Sequence, residues 1–257
     1  MRAGRLLVVA TPIGNLDDMS PRAIEALRSA AVILCEDTRH TRKLLTHFQI
    51  DTPAERFDEH TEDAKAASFI ERIASGETIA VVSDAGMPLL SDPGYRIVRM
   101  AREHGLTVEP RPGPFAAALA LVASGIAPQP FTFFGFAPHR EGERRDFYRA
   151  IAESGHTAIV YESPERILAS LEDALPILGD TEVTVAREMT KIHEEFLFGK
   201  LSEVRPRVKA LGEFVIVVTG ATELCENIPH TREAVLEKLG MTRNELYDLL
   251  FTKPGRE

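Results

Sequence analysis

Short apolar runs rich in β-branched residues alternate with helical patterns through the first half of the chain. The apolar runs, each typical of a buried strand, lie at 5–10, 31–35, 78–82 and 106–109. The helical patterns that follow them lie at 20–29, 38–48, 62–75, 93–104 and 114–124. This alternation predicts βαβ units around a mostly parallel sheet, and therefore an α/β fold.

The alternation is interrupted at 127–139, where APQPFTFFGFAPH contains three prolines and four phenylalanines. We place a domain junction there, which gives an N-terminal α/β domain over 1–126 and a C-terminal α/β domain over 127–220. In the second domain the pattern resumes with some antiparallel pairing and predicts helices at 142–153, 164–175 and 202–210 and strands at 157–161, 182–187, 194–198 and 213–218. A short tail over 221–257 holds two further helical stretches, 230–239 and 242–251.

Composition narrows the class of protein. A chain of 257 residues with 44% hydrophobic and 27% charged residues can form two ordinary globular domains. Its longest apolar stretch, at 115–127, is too short to cross a bilayer, so we expect a cytoplasmic protein without a membrane partner. Cys35 and Cys225 form no metal-ligand spacing and are expected to be reduced. The net charge of −9 argues against indiscriminate nucleic-acid binding, so any RNA contact must be local.

Four segments that follow predicted strands of the first half fall at one edge of the predicted sheet. Ligands of open α/β sheets bind beyond the carboxyl ends of the strands, which is this edge. Each segment alone is compatible with a tight strand-to-helix turn, but their coincidence favours a ligand site. They are TPIGN at 11–15, CEDTRHT at 35–41, SDAGMP at 83–88 and RPGP at 111–114.

The stretch VVSDAGMPLLSDPG at 81–94 is more crowded with Gly, Pro and Asp than a chain reversal requires. Glycine lets the backbone approach a ligand closely, and proline holds a rigid turn. We therefore expect a ligand to lie against this backbone. The residues that crowd the loop are Asp84, Gly86, Pro88, Asp92, Pro93 and Gly94.

Familiar cofactor motifs are missing from the sequence. No G-x-G-x-x-G follows a strand and no G-x-x-x-x-G-K-[ST] is present, so the ligand is not expected to be a polyphosphate. The sequence also lacks G-x-S-x-G, H-E-x-x-H and a Cys/His zinc spacing, which weakens the hydrolase and metalloenzyme interpretations.

Charged residues cluster where the second predicted strand turns into a helix. Two interpretations stay open: the carboxylates cap the helix and the cations form a solvated face, or the group forms a charged wall of an active site. Segments 161–166 and 186–195 leave the same choice between an ion-pair network and a site. The cluster consists of Glu36, Asp37, Arg39, His40, Arg42 and Lys43.

Eight motifs, in order, resemble the bacterial small-subunit (16S) ribosomal RNA ribose-2′-O-methyltransferase I family. That family belongs to the tetrapyrrole-methylase-like S-adenosylmethionine enzymes. The resemblance runs from about residue 5 to 219. The motifs are TPIGNLDD, CEDTRHTRKLL, VSDAGMPLLSDPG, PGPFAAALAL, FFGFAPH, YESPERI, AREMTKIHEE and GEFVIVV.

The resemblance implies two α/β domains of the tetrapyrrole-methylase type with S-adenosylmethionine in the cleft between them. It also implies a homodimer that methylates the ribose 2′-hydroxyl of one cytidine in the decoding region of 16S rRNA, within the small ribosomal subunit. Met87 stands where the family usually has Thr, which removes one side-chain hydroxyl. The family's cofactor loops fall on Pro12, Gly14, Asp84, Ala85, Gly86, Met87, Pro88, Leu89, Leu90, Pro114, Phe115, Ala116, Tyr161, Glu162 and Met189.

A ribose 2′-hydroxyl attacks a methyl group readily only as its proton leaves, so the reaction needs a proton acceptor or a cation that lowers the hydroxyl's pKa. We favour Asp37 or Glu36 as the acceptor and Arg39 as the anchor for a phosphate or the hydroxyl, because a carboxylate beside an Arg stays ionised. Glu188 and Lys191 are the candidates from the second half. The motifs imply no metal.

Two other functions compete with RNA methylation. The first is methylation of a tetrapyrrole, or of a protein histidine as in diphthine formation, on the same fold. The second is a non-catalytic RNA-binding module. The segment EDTRHT at 36–41 is the feature that favours RNA over the other methylation substrates.

Overall fold

The computed structural model describes residues 4–220 and residue 242, and it places ten strands in two sheets. The predicted tail helices and Cys225 therefore lie outside the described residues, except for residue 242 itself. Cys35 is a buried free thiol.

The first sheet is wholly parallel, with strand order β3-β2-β4-β1-β5. Its central strands β1 and β4 are apolar on both faces because helices cover both sides of the sheet. The strands are β1 (Arg5–Val9), β2 (Val32–Cys35), β3 (Ala54–Arg56), β4 (Thr78–Val82) and β5 (Thr107–Arg111). The helices are α1 (Pro21–Ser29), α2 (Thr38–His47), α3 (Glu59–Ala74), α4 (Tyr95–Glu103) and α5 (Ala116–Ser124).

The second sheet is mixed, as the sequence predicts, with strand order β6-β7-β10-β8-β9. Only β6 and β7 pair in parallel, and the other three pairs are antiparallel. The strands are β6 (Phe131–Phe136), β7 (Thr157–Glu162), β8 (Glu182–Arg187), β9 (Glu195–Lys200) and β10 (Phe214–Thr219). The helices are α6 (Glu141–Ser154), α7 (Ile167–Leu178) and α8 (Leu201–Val204).

Three elements differ from the sequence predictions. Strand β3 has only three residues and no apolar alternation, so no pattern predicts it. Strand β6 lies inside the proline-rich segment, where the prolines flank an edge strand that tolerates them. The predicted helix 202–210 ends at Val204 and continues as one 3₁₀ turn, because Pro206 lacks the N–H that a longer α-helix needs.

Helix α5 joins the two halves. It follows the last strand of the first sheet, yet its buried face packs on the second sheet, where Ala117, Ala120 and Leu121 meet Ile159 and Val217. The boundary between residues 126 and 127 stays a prediction. The packing of α5 holds the carboxyl edge of the first sheet against the second sheet and leaves a cleft between them.

Candidate active site

The loops after β1 and β4 are fastened to each other at the carboxyl edge of the first sheet. The N–H of Thr11 donates to the carbonyl of Gly86 at 2.9 Å, and the N–H of Gly86 donates to the carbonyl of Thr11 at 3.1 Å. Two buried hydroxyls complete the joint: Thr11 donates to the Ser83 carbonyl at 3.1 Å, and Ser83 donates to the Gly86 carbonyl at 3.0 Å.

The crowded loop 83–94 takes left-handed backbone conformations at four positions. Gly86 and Gly94 have φ of +84° and +118°, and the non-glycine residues Leu89 and Ser91 have φ of 72° and 73°. Such strain at non-glycine residues concentrates at functional sites. A Cβ at Gly86 would lie 3.1 Å from Cγ2 of Ile13, so the loop packs tightly where it meets the loop after β1.

A cavity of about 320 Å³ lies in the cleft between this loop and the second sheet. This volume is at the small end of the range for cofactor sites. Ten of the predicted cofactor residues line it: Asp84, Ala85, Gly86, Met87, Leu90, Phe115, Ala116, Tyr161, Glu162 and Met189.

The other predicted cofactor residues lie around this cavity. Pro12 and Gly14 line an adjoining cavity that also contains Lys191. Gly14 faces the turn at 189–191, where a Cβ would lie 2.5 Å from Cγ of Lys191. Pro88, Leu89 and Pro114 do not line the cleft cavity; the Leu89 side chain would lie 3.3 Å from a Cβ on Gly94, and the Pro114 carbonyl would lie 3.4 Å from a Cβ on Gly86.

The lining of the cleft cavity combines acidic groups with aromatic rings. Among the described residues, no Lys, Arg or His side chain lines it. The rings of Phe133 and Phe136 each meet the ring of Tyr161 edge to face. An acidic and aromatic cavity suits a cationic ligand with a flat ring system. The four carboxylates are Asp84, Asp92, Glu162 and Glu213.

Glu162 has one bonded and one unbonded carboxylate oxygen. Its Oε1 accepts from the Ser163 N–H at 2.8 Å and from Nε of Arg166 at 3.0 Å. Its Oε2 is buried and has no hydrogen-bond partner in the described part of the chain, while the side chain is fully buried. A buried carboxylate oxygen without a donor is costly, so the site is suited to a ligand that donates a hydrogen bond.

Burial raises the pKa of Tyr161 to about 12, although a hydrogen bond with the main chain of Ala117 opposes this shift. Tyr161 therefore stays protonated at neutral pH. Its ring forms part of the cavity wall between the two sheets.

Asp92 is a cavity residue that was not among the predicted site residues. Burial, reinforced by the nearby carboxylates of Glu36 and Asp84, raises its pKa to about 7. Its position in the crowded loop was the available signal. Phe136 and Glu213 also line the cavity without being predicted site residues, although both lie in family motifs, FFGFAPH and GEFVIVV.

The predicted cluster Glu36, Asp37 and Arg39 lines a second cavity, and Asp84 lines both this cavity and the first. The Asp37 carboxylate caps α2 by accepting from the Arg39 N–H at 2.8 Å, and it pairs with the Arg39 guanidinium at 2.8 Å. Hydrogen bonds with Arg39 hold the pKa of Asp37 well below its usual range. Asp37 thus has the geometry of the helix cap that the sequence left open.

Glu188 and Lys191 form an ion pair, with Nζ of Lys191 2.8 Å from Oε1 of Glu188 and 3.0 Å from Oε2 of Glu213. Desolvation opposes the charge on Lys191, but the hydrogen bonds that Lys191 donates to both carboxylates raise its pKa. The adjoining cavity that Pro12 and Gly14 line is the third cavity. Lys191 lines it together with His40 and Lys43 of α2, and Asp84 lines it too. The structure therefore brings Lys191 toward the α2 cluster, with Asp84 at the junction.

In the described range 4–220, no group of three or more His, Cys, Asp or Glu side chains is placed to hold a metal ion. No helix of that range has the length and apolar character needed to span a membrane.

Comparison with known proteins places this fold in a class of methyltransferases. The family model for Tetrapyrrole (Corrin/Porphyrin) Methylases matches residues 5–205. Among solved structures, a diphthine synthase aligns with a TM-score of 0.67 and 15% identity, over 84% of this chain and 90% of that one. The fold is that of the tetrapyrrole methylases, as predicted.

Curated relatives identify one family within this class of methyltransferases. The ribosomal RNA small subunit methyltransferase I of Xylella fastidiosa is 47% identical over 226 residues, covering 86% of this chain and 83% of that protein. Its counterpart in Pseudomonas aeruginosa is 43% identical over 281 aligned positions that cover both chains completely. The chain belongs to the ribosomal RNA small subunit methyltransferase I family. This membership confirms the predicted family and, with it, S-adenosylmethionine as the methyl donor.

Proposed function

We propose that this protein transfers the methyl group of S-adenosylmethionine to the ribose 2′-hydroxyl of a cytidine in the decoding region of 16S rRNA. The observation that carries the proposal is the 47% identity to a named ribosomal RNA small subunit methyltransferase over most of both chains. The acidic, aromatic cleft cavity supports it, because its lining matches a cationic donor with an adenine ring.

The residues present fit the methyl donor. The carboxylates of Asp84, Glu162 and Glu213 line the cavity and complement its sulfonium and ammonium charges, and the unbonded Oε2 of Glu162 can accept a hydrogen bond from it. Phe115, Phe136 and Tyr161 offer ring faces and edges to its adenine. When bound, S-adenosylmethionine supplies an electrophilic methyl group on a sulfonium.

The nucleotide would approach over α2. Arg39 has an exposed side chain and lines the second cavity, Lys43 lines the third, and both border a further open cavity together with Arg42 of α2. These cations can hold phosphate groups and so orient a 2′-hydroxyl toward the cofactor cavity. Glu188 and Lys191 would act as positioning residues, since their ion pair fixes the turn against which Gly14 packs.

The predicted proton acceptors differ in how they are engaged. Asp37 is held by Arg39 and by its capping role, and its lowered pKa makes it a weak acceptor. Glu36 lines the second cavity beside Asp84. Asp37 is therefore the weaker candidate for the proton acceptor.

The two alternatives, methylation of a tetrapyrrole or protein histidine and non-catalytic RNA binding, are less well supported. The likeness to diphthine synthase, at 15% identity, concerns the fold alone. A non-catalytic RNA-binding module would not need the cofactor cavity or the buried, unbonded carboxylate oxygen of Glu162, a residue that lines it.

We expect the assembled small subunit as substrate, a homodimer in solution and a cytoplasmic location. Ile192, Leu211 and Phe198 expose apolar side chains on the second half, which suits a contact with a second copy. Sedimentation at micromolar concentration tests this: a monomer would contradict the dimer.

The function is tested with radiolabelled S-adenosylmethionine and three acceptors in parallel: small subunits that lack the modification, a tetrapyrrole precursor, and a translation factor with the target histidine. We expect label only in the small-subunit RNA. Label in the tetrapyrrole or the protein favours that rival. Tight binding of RNA without label in any acceptor supports the binding module.

A further inference from the structure

We propose that Asp92 is a catalytic residue of this enzyme, the group that accepts the proton of the ribose 2′-hydroxyl as the methyl group is transferred. This inference rests on the proposed function. The proton acceptor then lies in the wall of the cofactor cavity that the first half of the chain provides, and not in the cluster of Glu36, Asp37 and Arg39 at the start of α2.

The position of Asp92 is set by a rigid piece of loop. Ser91 before it has a left-handed backbone, and Pro93 and Gly94 after it lead into α4. The side chain lines the cofactor cavity on the side of Asp84, and its charge also acts on Tyr161 of the second sheet. Asp92 therefore lies between the two halves of the site, where donor and acceptor must meet.

The other carboxylates near the cleft are already engaged. Asp37 pairs with Arg39, Glu188 pairs with Lys191, and Glu162 pairs with Arg166 through Oε1. Asp84 accepts the Asp37 N–H at 3.4 Å. In contrast, the Asp92 carboxylate has no hydrogen bond or ion pair within residues 4–220. It is thus available to a substrate.

Asp92 is surrounded by acidic and neutral groups. Glu36 faces it from the loop after β2, Asp84 from the loop after β4, and the neutral Tyr161 from β7. Glu162 and Glu213 share the same cavity wall, and no cation lines it in the described part of the chain. With its pKa raised to about 7, Asp92 suits general-base work near neutral pH, where an ordinary Asp is too weak a base.

The 2′-oxygen forms a bond to the methyl carbon while the carbon–sulfur bond breaks, and the sulfonium becomes a neutral thioether. The proton of the hydroxyl passes to the Asp92 carboxylate and then to solvent. No oxidant, reductant or metal is required.

The first test compares Asp92→Asn with Asp51→Asn, a matched change at an exposed residue in the loop after α2. Single-turnover methylation of small subunits is measured at saturating cofactor, and S-adenosylmethionine affinity is measured by calorimetry. We expect Asp92→Asn to lose about 10²–10⁴-fold in rate, the usual contribution of a general base, with cofactor affinity within about threefold of wild type. Asp51→Asn should match wild type in both.

The second readout does not depend on turnover. In protein labelled with ¹³C at Asp carboxyls, one resonance of the unloaded enzyme should titrate near pH 7 and be absent from Asp92→Asn. Glu36→Gln should move that midpoint, and the midpoint of the pH–rate profile, to lower pH by the same amount.

Three results would overturn the inference: near wild-type turnover by Asp92→Asn, a loss confined to cofactor affinity, or an unshifted midpoint in Glu36→Gln. A wild-type enzyme that labels no RNA would instead refute the proposed function, so the two failures are distinguishable.

Discussion

Thr11 and Gly86 exchange two main-chain hydrogen bonds, at 2.9 and 3.1 Å, across the gap between the loops that follow β1 and β4. This antiparallel bridge lies outside the sheet and turns two separate strand ends into one surface of the cofactor cavity. Its strength depends on Gly86, because the bridge is made with φ of +84° at that residue. A side chain there disturbs both the backbone and the neighbouring Ile13.

Gly86→Val should lower S-adenosylmethionine affinity more than tenfold. A branched side chain at positive φ is strained, and its Cβ would lie 3.1 Å from Cγ2 of Ile13. Isothermal calorimetry measures the affinity. The structure also indicates a cost in stability of about 1–3 kcal/mol, so the melting temperature is measured alongside.

Gly105 provides the control for that backbone strain. It has φ of +67°, and a Cβ there would meet no atom within 4 Å. Gly105→Ala and Gly86→Ala should each destabilise the fold by about 1 kcal/mol, but only Gly86→Ala should weaken cofactor binding. If both variants bound S-adenosylmethionine with equal affinity, the bridge between Thr11 and Gly86 would have no part in cofactor binding.

Glu162→Gln should weaken S-adenosylmethionine binding by about ten- to a hundredfold, the value of a hydrogen bond to a charged group. The amide keeps the size of the side chain but removes the charge of a residue that lines the cavity. Asp173→Asn is the matched control, because Asp173 is also a buried carboxylate paired with an Arg, Arg144, and it does not line the cavity. That variant should lose stability and keep its affinity; a similar loss of affinity in both would exclude a direct role for Glu162.

Asp92→Asn should be more stable than wild type above about pH 7 and equal to it near pH 4. The folded pKa of about 7 lies above the unfolded value, so the folded state binds more protons between these limits and wild-type stability falls as pH rises. We expect a gain of about 1 kcal/mol, because solvent screens a partly exposed carboxyl, or about 2–4 °C in Tm. Calorimetric scans of both proteins from pH 4 to 9 check this, and parallel curves would contradict it.

RNA binding should depend only weakly on salt. With Arg39, Arg42 and Lys43 as the main phosphate contacts, log K against log salt should have a slope of about −2 to −3. Replacing Arg42 and Lys43 by Ala should reduce its magnitude by about 1.4. Arg102→Ala, at an exposed position on α4, should leave the slope unchanged. A slope of about −6 or steeper in wild type would mean that RNA contacts far more of the protein.

Local patterns determined most of the fold. The predicted strand 78–82 coincides with β4, and Ser20 caps α1 as the Ser-Pro pair indicates, with its Oγ accepting from the Ala23 N–H at 3.2 Å. The pattern does not predict β6, because an edge strand tolerates the prolines and the glycine that indicate a domain junction. The packing of α5 on the second sheet is likewise a long-range choice that no local signal encodes.

The site was predictable as a set of loops but not as a set of contacts. Motifs at the strand ends of the parallel sheet predict Asp84 and Gly86 at one edge, and the family resemblance alone predicts Glu162 there; all three line the cleft cavity. They could not distinguish Asp37, which is held by Arg39, from Asp92, which has no such partner, because that difference arises from side-chain geometry.

Methylation of one ribose in small-subunit rRNA is tested by mapping the modified nucleotide. Unmodified small subunits are incubated with the enzyme and methyl-labelled S-adenosylmethionine, and the RNA is digested and analysed by mass spectrometry. We predict a single 2′-O-methylcytidine, located in the decoding region and absent when the enzyme is omitted. Label on a base, on a different nucleotide, or in ribosomal protein would contradict the account.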